Sequence, residues 1–240
     1  MRAARAALVV LLALWAPFAA AQAPHPDLER LVGVFERVVF GSEIAGVAPA
    51  ERVRKWQGEV RFKLGGTGAA SAREAVHRHA AQLSTLTGLA YREVPAKAQG
   101  ENLVILVVPR AQMFEAGKLV EKNETVLRRI VEDARGHCYF LSYSKADQIV
   151  YAAVVANADL DAAALAACLL EEMAQVLGLP GDDPGLKASV AGRVPAPGGS
   201  GLAPAAELMV RTLYDARLKA GMTRAEARAA ARLVFQDLLK

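Results

Sequence analysis

Apolar positions recur at helical spacing near the start of the chain: Leu28, Leu31, Val32, Phe35, Val38 and Val39 follow Asp27, and Gly41 follows the run. That spacing predicts an amphipathic helix capped by Asp27. Over residues 56–64 the period changes to two. Trp56, Gly58, Val60, Phe62 and Leu64 alternate with Glu59, Arg61 and Lys63, the pattern of a half-buried strand. Gly65 to Gly68 turns the chain. Ser71 with Glu74 has the spacing of a capping box and predicts a second helix to about Leu86, stopped near Gly88. Residues 102–108 are a nearly continuous Leu and β-branched run, expected for a strand covered on both faces and closed by Pro109.

Residues 118–135 are charged and read as a helical excursion. Residues 138–143 and 148–157 read as two strands joined by a short turn. Asp161 then caps an apolar helix over 162–177, ended by Gly178 and Pro180. Nine of the 23 residues from Gly181 to Ala203 are Gly or Pro, which predicts a long irregular loop. Two helices follow, the second opened by Thr223 with Glu226 in capping-box spacing. This order predicts an α/β (α+β) domain: a mixed sheet with helices around it and a C-terminal helical segment.

The N-terminus has a different character. Arg2 and Arg5 precede an apolar run, Pro17 interrupts it, and Ala19 and Ala21 supply a small-residue pair before Gln22. Residues 1–21 are therefore expected to be a secretory signal, since the run is short for the ~30 Å of a bilayer core. The remaining organisation is expected to be one domain over 22–180, a loop over 181–203, and helices over 204–240 packing on that domain. No later apolar stretch is long enough for a transmembrane segment, so a periplasmic or secreted protein is expected. Loss of Arg2 and Arg5 lowers the formal charge from +4 to +2, too small a balance to predict nucleic-acid binding. Two cysteines in an exported chain allow one pairing, Cys138 with Cys168.

The chemistry-bearing stretch is Cys168-Leu-Leu-Glu-Glu-Met-Ala-Gln-Val-Leu-Gly-Leu179. On a helix, Leu165, Leu169, Met173, Val176 and Leu177 gather on one side, and Cys168, Glu171, Glu172 and Gln175 on a narrower polar arc. Glu171 and Gln175 lie one turn apart. This resembles the zinc-peptidase helix H-E-x-x-H-x-x-G, with Glu171 and Gln175 at the two His positions, Glu172 at the general-base position and Gly178 at the glycine. The order of strands, an antiparallel edge strand and then this helix is zincin-like. Residues 202–214, ending in Leu-Tyr, resemble the helix after the active site of matrixin-type peptidases.

Zinc favours imidazole or thiolate donors, so a carboxylate with a neutral amide makes a poor zinc site. The expectation is no metal and no cofactor; the alternative is an oxygen-ligated divalent cation, with Asp182 and Asp183 as further ligands. A solvated acidic face is the third reading. The leading functional expectation is a non-peptidase binding or structural component of the cell envelope, partnered by an unidentified envelope protein or polymer. The rival is a hydrolase with Glu172 as general base, which requires burial to raise that carboxyl toward neutrality.

The chain also resembles an uncharacterised proteobacterial family of secreted proteins and lipoproteins, known as a domain of unknown function. The residues carrying the resemblance are Phe40-Gly-Ser-Glu43, Lys55-Trp56, Leu86-Thr-Gly88, Cys138, the stretch from Cys168 to Pro180 with Asp182, Ser189, and Leu213-Tyr-Asp-Ala-Arg-Leu-Lys-Ala-Gly-Met222. It spans roughly residues 31–222 and implies that Glu and Gln at the His positions are a family trait. It implies no activity. The chain departs from the family pattern at Ala206, where Asp is usual, and in its short loop after Ser189.

Weaker signals reduce to ordinary structure. His77 and His79 are two apart on a helix and cannot chelate one ion. Ser142-Tyr-Ser-Lys145 matches S-x-x-K but sits on a strand, and Gly65-Gly-Thr-Gly68 lacks the Lys of a phosphate loop. Arg224, Arg228 and Arg232 form a stripe expected to be a solvated helix face, with anionic lipid or polymer as the alternative. Trp56 is expected in the core.

Overall fold

The computed structural model describes residues 26–42, 48–134, 137–181, 183 and 201–240. The expected signal segment 1–21, Glu43, Asp182, Ser189 and most of the 181–203 loop lie outside the described residues. The described residues open with α1 (Pro26–Phe40), and a strap over 48–59 leads into β1 (Val60–Gly65). It continues through α2 (Ala69–Thr87), β2 (Tyr91–Glu93), β3 (Leu103–Val108), a 3-10 turn (Arg110–Gln112), α3 (Met113–Gly117) and α4 (Glu124–Asp133). The hairpin strands β4 (Cys138–Lys145) and β5 (Gln148–Asn157) lead into α5 (Ala162–Gln175), followed by α6 (Pro204–Tyr214) and α7 (Arg224–Leu238).

The five strands form one mixed sheet in the order β2-β1-β3-β5-β4. Four are parallel, and only the edge strand β4 runs antiparallel, against β5. Strand alternation sorts the side chains into two layers. Phe62, Ile105, Val154 and Phe140 project into the main core with Phe35, Leu83, Leu169, Met173, Leu213 and Phe235 of α1, α2, α5, α6 and α7. Tyr139, Leu141, Ala153 and Val155 face the opposite way, against Met113, Leu127 and Ile130 of α3 and α4. The expected mixed sheet with surrounding helices is therefore present. No helix of the described residues is long and apolar enough to cross a membrane.

Local differences have physical causes. The strand expected over 56–64 starts only at Val60, because residues 52–56 are held elsewhere. Val53 N–H donates to Met222 O and Gly221 N–H to Val53 O, both at 2.9 Å, and Lys55 makes a single bridge to Gln148. Ser71 is not the cap of α2. The helix starts two residues earlier, and the Ser71 hydroxyl donates back to Gly68 O. Its C-terminus is as the sequence predicts, at Gly88 with φ +72°. β2 has three residues and no detectable period in the sequence. Within the expected excursion over 118–135 the described helix is α4, capped by Asn123, whose side chain accepts from Thr125 and Val126 N–H, and the short α3 precedes it.

The arginine stripe on α7 is only partly the solvated face expected: Arg224 is exposed, whereas Arg228 and Arg232 are half-buried in ion pairs. Arg228 pairs with Glu29 and Glu36, and Arg232 with Glu29, so α7 is laced to α1. Arg224 lies over the Phe40 ring, 4.9 Å from its centroid. Thr223 and Glu226 form the reciprocal capping box.

Candidate functional site

Helix α5 begins where Asp161 accepts hydrogen bonds from Ala163 and Ala164 N–H. Its Ala- and Leu-rich sequence suits both helix formation and burial against the sheet. Cys168 is joined to Cys138 by the expected disulfide, with Cα atoms 6.0 Å apart. The bond ties the first residue of edge strand β4 to α5, three residues before Glu171.

The polar arc at the end of α5 is drawn into the protein. Glu172 and Gln175 are each only 9% exposed, and Glu171 is half-buried. Gln175 Oε1 is buried and has no hydrogen-bond partner among the described residues. Glu171, Glu172 and Gln175 occupy positions i, i+1 and i+4, so the helix brings the first and last to one face. No residue in the last turn is basic.

Asp183 is paired with Arg37: its carboxylate accepts from Arg37 Nε at 2.8 Å and lies 2.7 Å from Nη2. The chain after α5 is turned toward α1, where Gly181 N–H donates to Val38 O. His79 is buried, and its Nε2 donates to Ala166 O, five residues before Glu171 along α5. Burial lowers its pKa to about 4, so the ring is neutral. His77 points elsewhere, to Glu93 at 2.6 Å. Among the described residues, no group of three or more His, Cys, Asp or Glu side chains could hold a metal ion. A zinc ion finds a poor donor set here, one carboxylate and one amide where imidazoles would be needed.

The end of α5 is fixed by side chains that the hydropathy pattern does not single out. A helix C-terminus leaves carbonyls without intrahelical donors. Here Trp56 Nε1 donates to Val176 O and the Tyr214 hydroxyl to Leu177 O, both at 2.9 Å. Trp56 N–H in turn donates to the Tyr214 oxygen at 3.2 Å. Lys55 Nζ is buried and donates to Leu213 O at 2.8 Å and Leu218 O at 2.6 Å. It lies 5.1 Å from the centre of the Tyr214 ring. Burial, reinforced by Lys219, lowers its pKa to about 8. Gly178, with φ +111°, makes the exit turn directly against the Arg54 carbonyl, where a Cβ would collide.

Residues 29–232 match the family model described as a protein of unknown function, DUF2927. The chain belongs to that family. No curated protein and no solved structure matches it. The match runs from α1 into α7, so the family region includes both the acidic end of α5 and the clamp that positions it. Lys55, Trp56 and Tyr214 are also among the residues that carry the family resemblance.

Proposed function

We propose that this DUF2927 protein is an exported, zincin-like domain without peptidase chemistry that serves as a binding or structural component of the cell envelope. The carrying observation is that Glu171 and Gln175 stand one turn apart at the end of a clamped helix, at the positions where a peptidase would present imidazoles. The scaffold features support the zincin-like reading: four parallel strands, an antiparallel edge strand, and α5 directly after β5. The Cys138–Cys168 bond suits an oxidising compartment, and residues 1–21 have the make-up of an export signal. In this reading residues 22–180 and the helices of 204–240 build one domain around the 181–203 loop. An envelope protein or polymer is the partner.

A second reading draws on the place of Glu172, buried at the position of a peptidase's general base. Glu172 then activates water in a hydrolase, with an oxygen-ligated cation at Glu171 and Gln175.

Elemental analysis of protein purified without chelators, with hydrolysis of an unfolded protein substrate by wild type and Glu172→Gln, separates the two. The proposal expects no stoichiometric metal and no Glu172-dependent turnover. Stoichiometric zinc overturns it, and Glu172-dependent hydrolysis establishes the second reading. Fractionation by osmotic shock is expected to release a chain starting at Gln22; retention in the cytoplasm removes the envelope assignment.

A further inference from the structure

We propose that Asn123 is an acceptor for N-linked glycosylation, with Glu121 and Thr125 as the residues that a transferase reads around it. The inference rests on the export part of the reading above, because this modification belongs to surface loops of secreted chains. The chain has three asparagines, Asn102, Asn123 and Asn157, and only Asn123 has a Ser or Thr two residues later. Glu121, two residues before it, adds the acidic position that the stricter class of these transferases requires.

Such a tripeptide recurs by chance, and its setting in the fold distinguishes this one. The other two asparagines are spent on the sheet. Asn102 accepts from Arg61 N–H and donates to Glu59 O, and Asn157 is buried at the end of β5. Asn123 instead stands in the connection before α4, exposed together with Lys122, Glu124 and Thr125. Its Oδ1 accepts from Thr125 N–H at 3.1 Å and Val126 N–H at 3.2 Å, which folds the side chain back over the threonine. Glu121 Oε1 accepts from Asn123 N–H at 2.6 Å, so the acid is held beside the asparagine. The Asn123 Nδ2 and the Thr125 hydroxyl make no hydrogen bond among the described residues. An amide substituted on nitrogen keeps its carbonyl acceptor, so the cap of α4 survives the modification.

The neighbouring surface is one that a glycan would cover. Leu119 is 71% exposed, and the half-exposed Tyr143 donates its hydroxyl to Val120 O at 3.3 Å and to Glu121 at 3.1 Å. The C–H faces of sugar rings pack on such side chains and take them from water. In the transfer, Asn123 Nδ2 forms a bond to the anomeric carbon of an oligosaccharide carried on a polyprenyl diphosphate. The bond from that carbon to the diphosphate oxygen breaks, the lipid diphosphate leaves, and one Nδ2 proton passes to the transferase.

Mass spectrometry of the chain released by osmotic shock from its own cells is the test, on the intact protein and on its peptides. A chain starting at Gln22 is expected to carry one oligosaccharide, on the peptide that contains Asn123. Asn123→Asp keeps a capping oxygen and removes the acceptor nitrogen, so this variant should fold and lose the sugar entirely. Thr125→Ala and Glu121→Gln should lose it too, although Asn123 is intact. An exported, processed chain with bare Asn123, or full occupancy in Thr125→Ala or Glu121→Gln, overturns this inference alone. Retention in the cytoplasm overturns the export reading and this inference with it.

Discussion

Trp56 Nε1 donates to the carbonyl oxygen of Val176 at 2.9 Å, joining the strap before β1 to the residue that follows α5. Both groups are buried, so neither can exchange its partner for water. Trp56→Phe retains most of the apolar contact and removes the donor. It should lower the free energy of unfolding by about 1–3 kcal/mol, the cost of leaving a buried carbonyl unpaired. Urea denaturation is the measurement: the midpoint should fall with an unchanged slope.

Lys55 makes the clamp pH-dependent with a sign opposite to that of an ordinary ion pair. Its folded pKa of about 8 is below the usual 10.5, so between those values the unfolded chain binds more protons than the folded one. Stability from this group therefore rises as pH increases from 8 to 10.5, and is lost as pH falls back through 8. Urea unfolding at pH 7 and pH 10 should show wild type gaining up to about 3 kcal/mol relative to Lys55→Met, in which this titration is absent. Equal pH dependence in the two proteins would contradict the assigned burial.

Gly178 is constrained twice. Its φ of +111° is outside the range favoured by L side chains, and a Cβ would strike the Arg54 carbonyl. Gly178→Ala should cost more than the roughly 1 kcal/mol of a left-handed residue alone, because backbone must move as well. Thermal melting should show a clear drop, with Gly88→Ala as the comparison. Gly88 also has positive φ, but no atom lies within 4 Å of the Cβ position.

The legible parts of this fold are those in which one segment carries its own period. α1, α5 and α7 follow from apolar spacing, α5 and α7 also from their caps, and β3 and the β4–β5 hairpin from runs of apolar and β-branched residues; Asp27, expected to cap α1, lies instead inside its first turn. The end of the strap at Trp56 reads as strand because it continues the alternation of β1. The side chains of Lys55 and Trp56 instead satisfy carbonyls about 160 and 120 residues away in sequence, which no local pattern encodes. Arg228 and Arg232 are illegible for the same reason: their partners, Glu29 and Glu36, are at the other end of the chain. The arc of Glu171, Glu172 and Gln175 follows from helical geometry, but the burial of Glu172 and Gln175 depends on packing around the helix end.

The Cys138–Cys168 bond closes a loop with a sequence separation of 30 and fixes the edge strand against α5. Intact mass under non-reducing conditions should be two hydrogens below the sum for free thiols. Replacing both residues by Ala should lower stability by about 3–4 kcal/mol in the chain-entropy account of a loop this size. Because the bond lies three residues before Glu171, amide exchange in the double variant should accelerate first in β4 and the middle of α5. Uniform acceleration would mean that the bond acts only on the unfolded chain.

His79 supplies an acid limb. Burial holds its folded pKa near 4 against an ordinary 6.5, and its Nδ1 has no hydrogen-bond partner among the described residues. Between pH 6.5 and 4 the unfolded chain therefore takes up a proton that the folded chain refuses, and stability is lost as pH falls through that window. Arg78, beside it on α2, opposes protonation further. The loss should reach about 3 kcal/mol by pH 4, since each tenfold difference in proton affinity between the two states is worth about 1.4 kcal/mol. His79→Gln can still donate to Ala166 O but cannot titrate. Its stability should fall less steeply from pH 7 to 4 than that of wild type, even if its value at pH 7 is lower. Parallel profiles for the two proteins would show that the imidazole is not the group responsible.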